Sequence, residues 1–90
     1  MQRAEIIVKG RVQGVFFRMF VKERAIQLNL TGWVKNKDSD KVHILAEGDE
    51  QAIKQLISLA RQGPPSADVQ DVKISYSTPT KEFKYFSVKY

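Results

Sequence analysis

Apolar residues recur along this chain in two rhythms, and the switches between them mark its elements. In "AEIIVKG", Ala4 to Gly10, β-branched residues run together and stop at a glycine, which predicts a strand. From Phe17 to Leu28 the apolar positions are Phe17, Phe20, Val21, Ala25 and Leu28. That spacing predicts a helix, with Lys22, Glu23 and Gln27 toward solvent. A period of two returns in Thr31–Asn36 and again in "KVHILAEG", residues 41–48, with the polar "KDSD" as a turn between them. In the second of these, Val42, Ile44 and Ala46 share one face, and His43, Leu45 and Glu47 the other. Asp49 is suited to cap a second helix, Glu50 to Gln62, whose stripe is Ile53, Leu56, Ile57 and Ala60. Gly63 closes that helix, and Pro64–Pro65 forbid its continuation. A fourth strand, "ADVQDVKISYS", alternates Val72, Ile74 and Tyr76; after the loop "TPTKE", a last strand "YFSVKY" alternates Phe86, Val88 and Tyr90 as a core-like edge.

The resulting order is βαββαβ with a short strand at the end. Two amphipathic helices on one face of a mainly antiparallel sheet make an α+β fold, the ferredoxin-like split βαβ sandwich. Residues 1–90 read as one domain without repeat or linker. That plan hosts many activities and names none of them.

Composition narrows the chemistry. The chain has no cysteine and one histidine, so neither a disulfide framework, a thiolate nucleophile nor a histidine-rich metal cluster is expected. The first apolar run is too short for a signal peptide and nothing later approaches a membrane span, so a cytoplasmic protein without membrane contact is expected. Net charge is +5, unevenly placed: residues 1–37 hold eight Lys/Arg against Glu5 and Glu23, while the remainder is slightly acidic. That bias favours anionic ligands in general, although a solvated basic face would look the same.

The basic segment contains "GRVQGVFFR", Gly10 to Arg18, between the first strand and the first helix. Glycine admits positive φ and close approach of a ligand to the backbone. Successive N–H groups in such a loop form a concave nest for an anion, and the following helix start adds unpaired donors. Arg18 can point a planar guanidinium fork into the same space. The spacing is neither a dinucleotide fingerprint nor a P-loop, since no G-K-[ST] follows. Read alone, the segment is either a tight turn, with Phe16 or Phe17 anchoring it in the core, or a site for phosphate, sulfate or carboxylate.

Taken in order, "VKGRVQGVFFRMFVKERAIQLNLTGWVKN", "VHILAEGDEQAIKQLI", "GPPSADVQDVKI" and "FSVKY" resemble the acylphosphatase family from about Ile6 to Tyr90. The two most telling parts, "GRVQGVFFR" and "GWVKN", stand one helix apart. The resemblance implies hydrolysis of a small acyl phosphate to a carboxylate and inorganic phosphate, without metal or cofactor. It puts the catalytic arginine on Arg18, the catalytic asparagine on Asn36, and the phosphate-binding loop on Gln13, Gly14, Val15, Phe16, Phe17 and Arg18. Inorganic phosphate would be product and inhibitor, and the protein a monomer. One departure stands out: Asp40 occupies the hairpin position where relatives usually carry glycine, which bears on the turn geometry.

Such chemistry needs little equipment. Phosphoryl transfer passes through a loose transition state, so positioning and charge stabilisation dominate. The leaving carboxylate has a conjugate acid of pKa about 4 and departs unprotonated near neutral pH. The implied division of labour gives the phosphoryl oxygens to Arg18 and the loop amides, and the attacking water to Asn36, whose carboxamide oxygen can accept from it. Bland alternatives stand beside these: a helical arginine paired with a carboxylate, and a hairpin-closing asparagine. Lys35 and Lys37 are expected only to steer a dianion. His43 reads as a surface or sheet-edge residue, Trp33 as packing, and Asp38, Asp40, Glu47, Asp49 and Glu50 as turn and capping residues. The rival class is a non-catalytic anion- or RNA-binding ferredoxin-like module, or such a unit within a larger carbamoyl-transfer protein. RNA-recognition aromatics lie on central strands, whereas "GVFFRMF" enters a helix, so no nucleic-acid partner is expected.

Overall fold

A computed structural model describes all 90 residues. Its elements run β1 (Gln2–Arg11), α1 (Phe17–Gln27), β2 (Thr31–Lys37), β3 (Lys41–Gly48), α2 (Glu50–Gln62), β4 (Asp68–Ser77) and β5 (Phe86–Lys89). The expected order holds throughout. The first strand is longer than its apolar run, because it continues through Gly10 to Arg11 against β4 across an irregularity at Lys9/Gly10. A side chain at Gly10 would collide with the Asp68 carbonyl oxygen, so this glycine serves the sheet rather than an anion loop.

The strands form one sheet in the order β4-β1-β3-β2-β5. Its first four strands pair antiparallel, and β5 joins β2 in parallel, with Val34 opposite Val88. Both helices cover one face, α1 over β2 and β5, α2 over β1 and β4. The core is what period two and period 3.6 bring together there. Ala4, Ile6 and Val8 of β1, Val34 of β2 and Val42, Ile44 and Ala46 of β3 meet Phe17, Val21, Ala25, Ile53, Leu56 and Ala60 of the helices. Each large side chain so buried contributes roughly 1.5–3 kcal/mol. No helix is long and apolar enough to cross a membrane.

The structure departs from expectation in three places. His43 lies on the central strand, not at an edge, with its ring edge-on to Trp33 at 4.9 Å. Its Nε2 is 3.0 Å from a Glu5 carboxylate oxygen, without the alignment of a hydrogen bond. Glu47 is not a turn or capping residue but a buried carboxylate, covered by the segment between β4 and β5. Tyr76 and Tyr90 follow the alternation of their strands yet are exposed, because each stands at the end of an edge strand.

The two helix starts differ. Asp49 caps α2, its carboxylate accepting from the N–H groups of Gln51 and Ala52. At the start of α1 stands Phe16, in the left-handed conformation at φ 61°, with no side-chain cap and no acidic residue in the first turn. An L-residue held there costs roughly 1–2 kcal/mol.

Candidate functional site

The segment Val12–Phe16 crosses from β1 to α1 at one end of the sheet. Val12 and Val15 are buried and hold it to the core, while Gly14, at φ 72°, and Phe16 bend it outward. Of the two phenylalanines, Phe17 is the core anchor; Phe16 is 82% exposed. The N–H groups of residues 12–16 find no acceptor in backbone or side chains. Those of Phe17, Arg18 and Met19 belong to the first turn of α1 and have no intrahelical acceptor. A run of idle donors therefore lies at this end of the sheet, and most of the residues that carry them border one place.

That place is an open hollow of about 440 Å³ lined by Val12, Gly14, Phe16, Phe17, Arg18, Met19, Asn36, Val88 and Tyr90. Arg18 reaches it from the second residue of α1. No carboxylate pairs with its guanidinium; it lies over the Tyr90 ring, 4.6 Å from the centroid, with Nη1 a long 3.5 Å from the Lys89 carbonyl oxygen. Asn36 reaches the hollow from β2, on the same face as Val34. Its carboxamide makes no hydrogen bond within the chain. Arg18 and Asn36 thus offer free donors and a free acceptor to one cavity.

The remaining expected residues divide. Gly14, Phe16 and Phe17 line the hollow, whereas Val15 is buried beside it. Gln13 does not line it: its side-chain Nε2 donates to the carbonyl oxygens of Lys37, Asp38 and Lys41 in the β2–β3 hairpin. Lys35 and Lys37 project to the opposite face from Asn36, as strand alternation requires, and Lys35 lies over the Trp33 ring. Their charges act on the hollow only from behind the sheet. In the hairpin the left-handed residue is Asp38, at φ 54°, so Asp40 does not occupy a conformation reserved for glycine. Asp40 instead pairs with Lys41 Nζ at 3.2 Å; this hydrogen bond, against partial desolvation and with help from Asp38, holds Lys41 above the ordinary lysine range.

Val12, Met19, Val88 and Tyr90 are lining residues that the sequence reading missed. For Tyr90 a signal existed: it continues the alternation of Phe86 and Val88, which directs it to the helix-covered side. No group of three His, Cys, Asp or Glu side chains gathers at the hollow or elsewhere in the chain.

The profile of the Acylphosphatase family matches residues 4–88. The chain belongs to the acylphosphatase family. The acylphosphatase of Bacillus velezensis is 43% identical over 90 residues, spanning the whole of both chains. The crystal structure of acylphosphatase from Bacillus subtilis matches at a TM-score of 0.96, with 42% identity across all of both chains. T. kodakarensis HypF contains a similar unit, with a TM-score of 0.85 and 34% identity; all of this chain corresponds to 12% of that one. With full-length likeness to curated acylphosphatases, the chain is a hydrolase of that kind, and its substrate class is the small acyl phosphate.

Proposed function

We propose that the chain hydrolyses the carboxyl–phosphate bond of small acyl phosphates at the hollow beside α1. Arg18 and the main-chain N–H groups from Gly14 to Arg18 hold the phosphoryl oxygens, and Asn36 orients the attacking water. The observation that carries this reading is the meeting of Arg18, Asn36 and a run of unpaired amides around one cavity. Unpaired donors are costly to bury and are normally satisfied, so a place that collects them suits an anion.

As charge spreads over the phosphoryl oxygens in the loose transition state, the guanidinium and amides meet it already oriented, with little reorganisation. The Tyr90 ring lies against the guanidinium, 4.6 Å from its central carbon, and no carboxylate competes with the substrate for its charge. The water takes its direction from the Asn36 carboxamide oxygen, an acceptor too weakly basic to deprotonate it. Its proton leaves as the bond to phosphorus forms, when it has become far more acidic, and passes to a phosphoryl oxygen or to solvent, so that the products are the carboxylate and inorganic phosphate. The carboxylate leaves as the anion, so the site needs no general acid. The same reading takes the protein as a monomer that is inhibited by inorganic phosphate and needs no nucleic acid.

The test is hydrolysis of a small acyl phosphate in excess chelator, with and without inorganic phosphate and single-stranded RNA. The expected result is turnover that survives the chelator, competitive inhibition by phosphate, and indifference to RNA. Loss of activity on chelation would overturn the metal-free mechanism. RNA binding that weakens steeply with salt, without turnover, would favour the non-catalytic module.

A further inference from the structure

Gln13 lies within the loop that crosses to α1, yet its side chain turns away from the hollow and grips the other half of the site. Its Nε2 is 2.8 Å from the carbonyl oxygen of Asp38, 2.9 Å from that of Lys41 and 3.3 Å from that of Lys37. An amide nitrogen has two hydrogens, so three acceptors converge on two donors, and the two shorter contacts carry most of the interaction. The accepting carbonyls begin at the residue after Asn36 and extend around the hairpin tip.

This arrangement exceeds what the hairpin itself needs. Lys37 and Lys41 already pair in the β2–β3 ladder, and the Gly10 N–H donates to the Asp40 carbonyl at 2.9 Å. The Gln13 contact adds a tie between the loop that would hold phosphate and the strand end that carries Asn36. We infer that Gln13 is a positioning residue for the reaction, setting the Asn36 carboxamide at the distance from the phosphate loop that an in-line water requires. The inference rests on the roles proposed above for Arg18 and Asn36. Displacing a reacting group by about 1 Å can cost up to a hundredfold in rate, so one lost tie is enough to matter.

The test is a double-mutant cycle on kcat, using Gln13→Met, which keeps length and volume but cannot donate, with and without Asn36→Ala. With Asn36 present, Gln13→Met should lower kcat about tenfold or more. In the Asn36→Ala background it should change kcat by no more than about twofold, the ordinary limit of independent effects. The inhibition constant of inorganic phosphate, which reads the cradle alone, should likewise move by no more than about twofold. Urea unfolding should show the same loss of stability in both backgrounds, which separates positioning from folding. Gln13→Glu, whose carboxylate faces three carbonyl oxygens, should lower kcat further and serves if the methionine variant is unstable. Equal fold losses in the two backgrounds, or unchanged kcat with Asn36 present, would overturn the inference. If Asn36→Ala alone kept wild-type kcat, the proposed mechanism would fail first, and the cycle would overturn the positioning role with it.

Discussion

Two loops of this molecule solve the same electrostatic problem in opposite ways. Residues 12–16, between β1 and α1, turn through a left-handed Phe16 and leave their N–H groups unpaired beside Arg18. Residues 78–85, between β4 and β5, turn through a left-handed Lys81, and the N–H groups of Thr80 and Lys81 donate to the Glu47 carboxylate at 2.9 and 3.0 Å. The Thr80 hydroxyl, with one hydrogen, lies between this carboxylate at 3.2 Å and that of Glu82 at 3.0 Å, and Arg3 Nη1 lies 3.4 Å from Glu47. At each place, therefore, loop amides and an arginine from a neighbouring element face an anion or a site for one. In one, the anion is a side chain of the protein, buried and permanent. In the other, the chain supplies none, and the proposed mechanism fills the place with a phosphoryl group. An internal anion stabilises the fold; a cradle to which the chain contributes no carboxylate is suited to an anionic substrate.

If that contrast is sound, damage at the two places should separate cleanly. The largest effect expected is on rate: Arg18→Ala and Asn36→Ala should each lower kcat by about 10²–10³, as loss of one preorganised group typically does. Their urea midpoints should stay near wild type, since neither side chain is part of the core. A variant with wild-type kcat would remove that residue from the mechanism. Filling the open cradle should also stabilise the protein. Inorganic phosphate at a hundred times its Kd should add about 2.7 kcal/mol to wild type and much less to Arg18→Ala, measured by thermal unfolding. An equal gain in both would place the bound phosphate elsewhere.

The filled cradle should show the reverse pattern. Glu47→Gln leaves buried donors facing an amide and should cost roughly 1–3 kcal/mol in urea unfolding, with kcat little changed. The titration of Glu47 gives a further check. Burial pushes its carboxyl up, but the hydrogen bonds from Thr80 and Lys81 and the Arg3 charge outweigh this and hold it below the ordinary carboxylate value. A depressed folded pKa contributes stability above the unfolded value of about 4.3 and loses it as pH falls through the folded pKa. Wild type should therefore lose stability on that acid limb, and Glu47→Gln should show a shallower one. Smallest of all, Gly14→Ala should cost roughly 1–2 kcal/mol, because its φ of 72° disfavours an L-residue although a Cβ there would touch nothing.

Arg18 and Asn36 could be singled out as candidates from the sequence, because each sits in a short motif whose neighbours carry the signal, and the fold brings both to one hollow. Helix α2 was equally plain: Asp49, the apolar stripe and Gly63 are all local cues. Glu47 misled for the same reason. Next to Asp49 and Glu50 it resembles a capping cluster, whereas its actual partners, Thr80 and Lys81, are 33 and 34 residues away. The Arg18–Lys89 contact spans 71 residues and the Gln13 contacts span 24 to 28. Nothing in "GRVQG" tells the amide of Gln13 from its side chain, and only the pairing of β2 with β3 puts acceptors within its reach.

Periodicity, caps and turn residues, all interactions among near neighbours, were enough to specify the order of elements, their inward faces and the loop rich in donors. Which anion answers which cradle was left to the assembled sheet. A carboxylate and an arginine select each other by distance, and distances between remote residues exist only once strands pair and helices pack. The 33 residues from Glu47 to Thr80 became one hydrogen bond, and the strand from Phe86 to Lys89 carried Tyr90 onto Arg18, because burying the apolar face left the chain no other path.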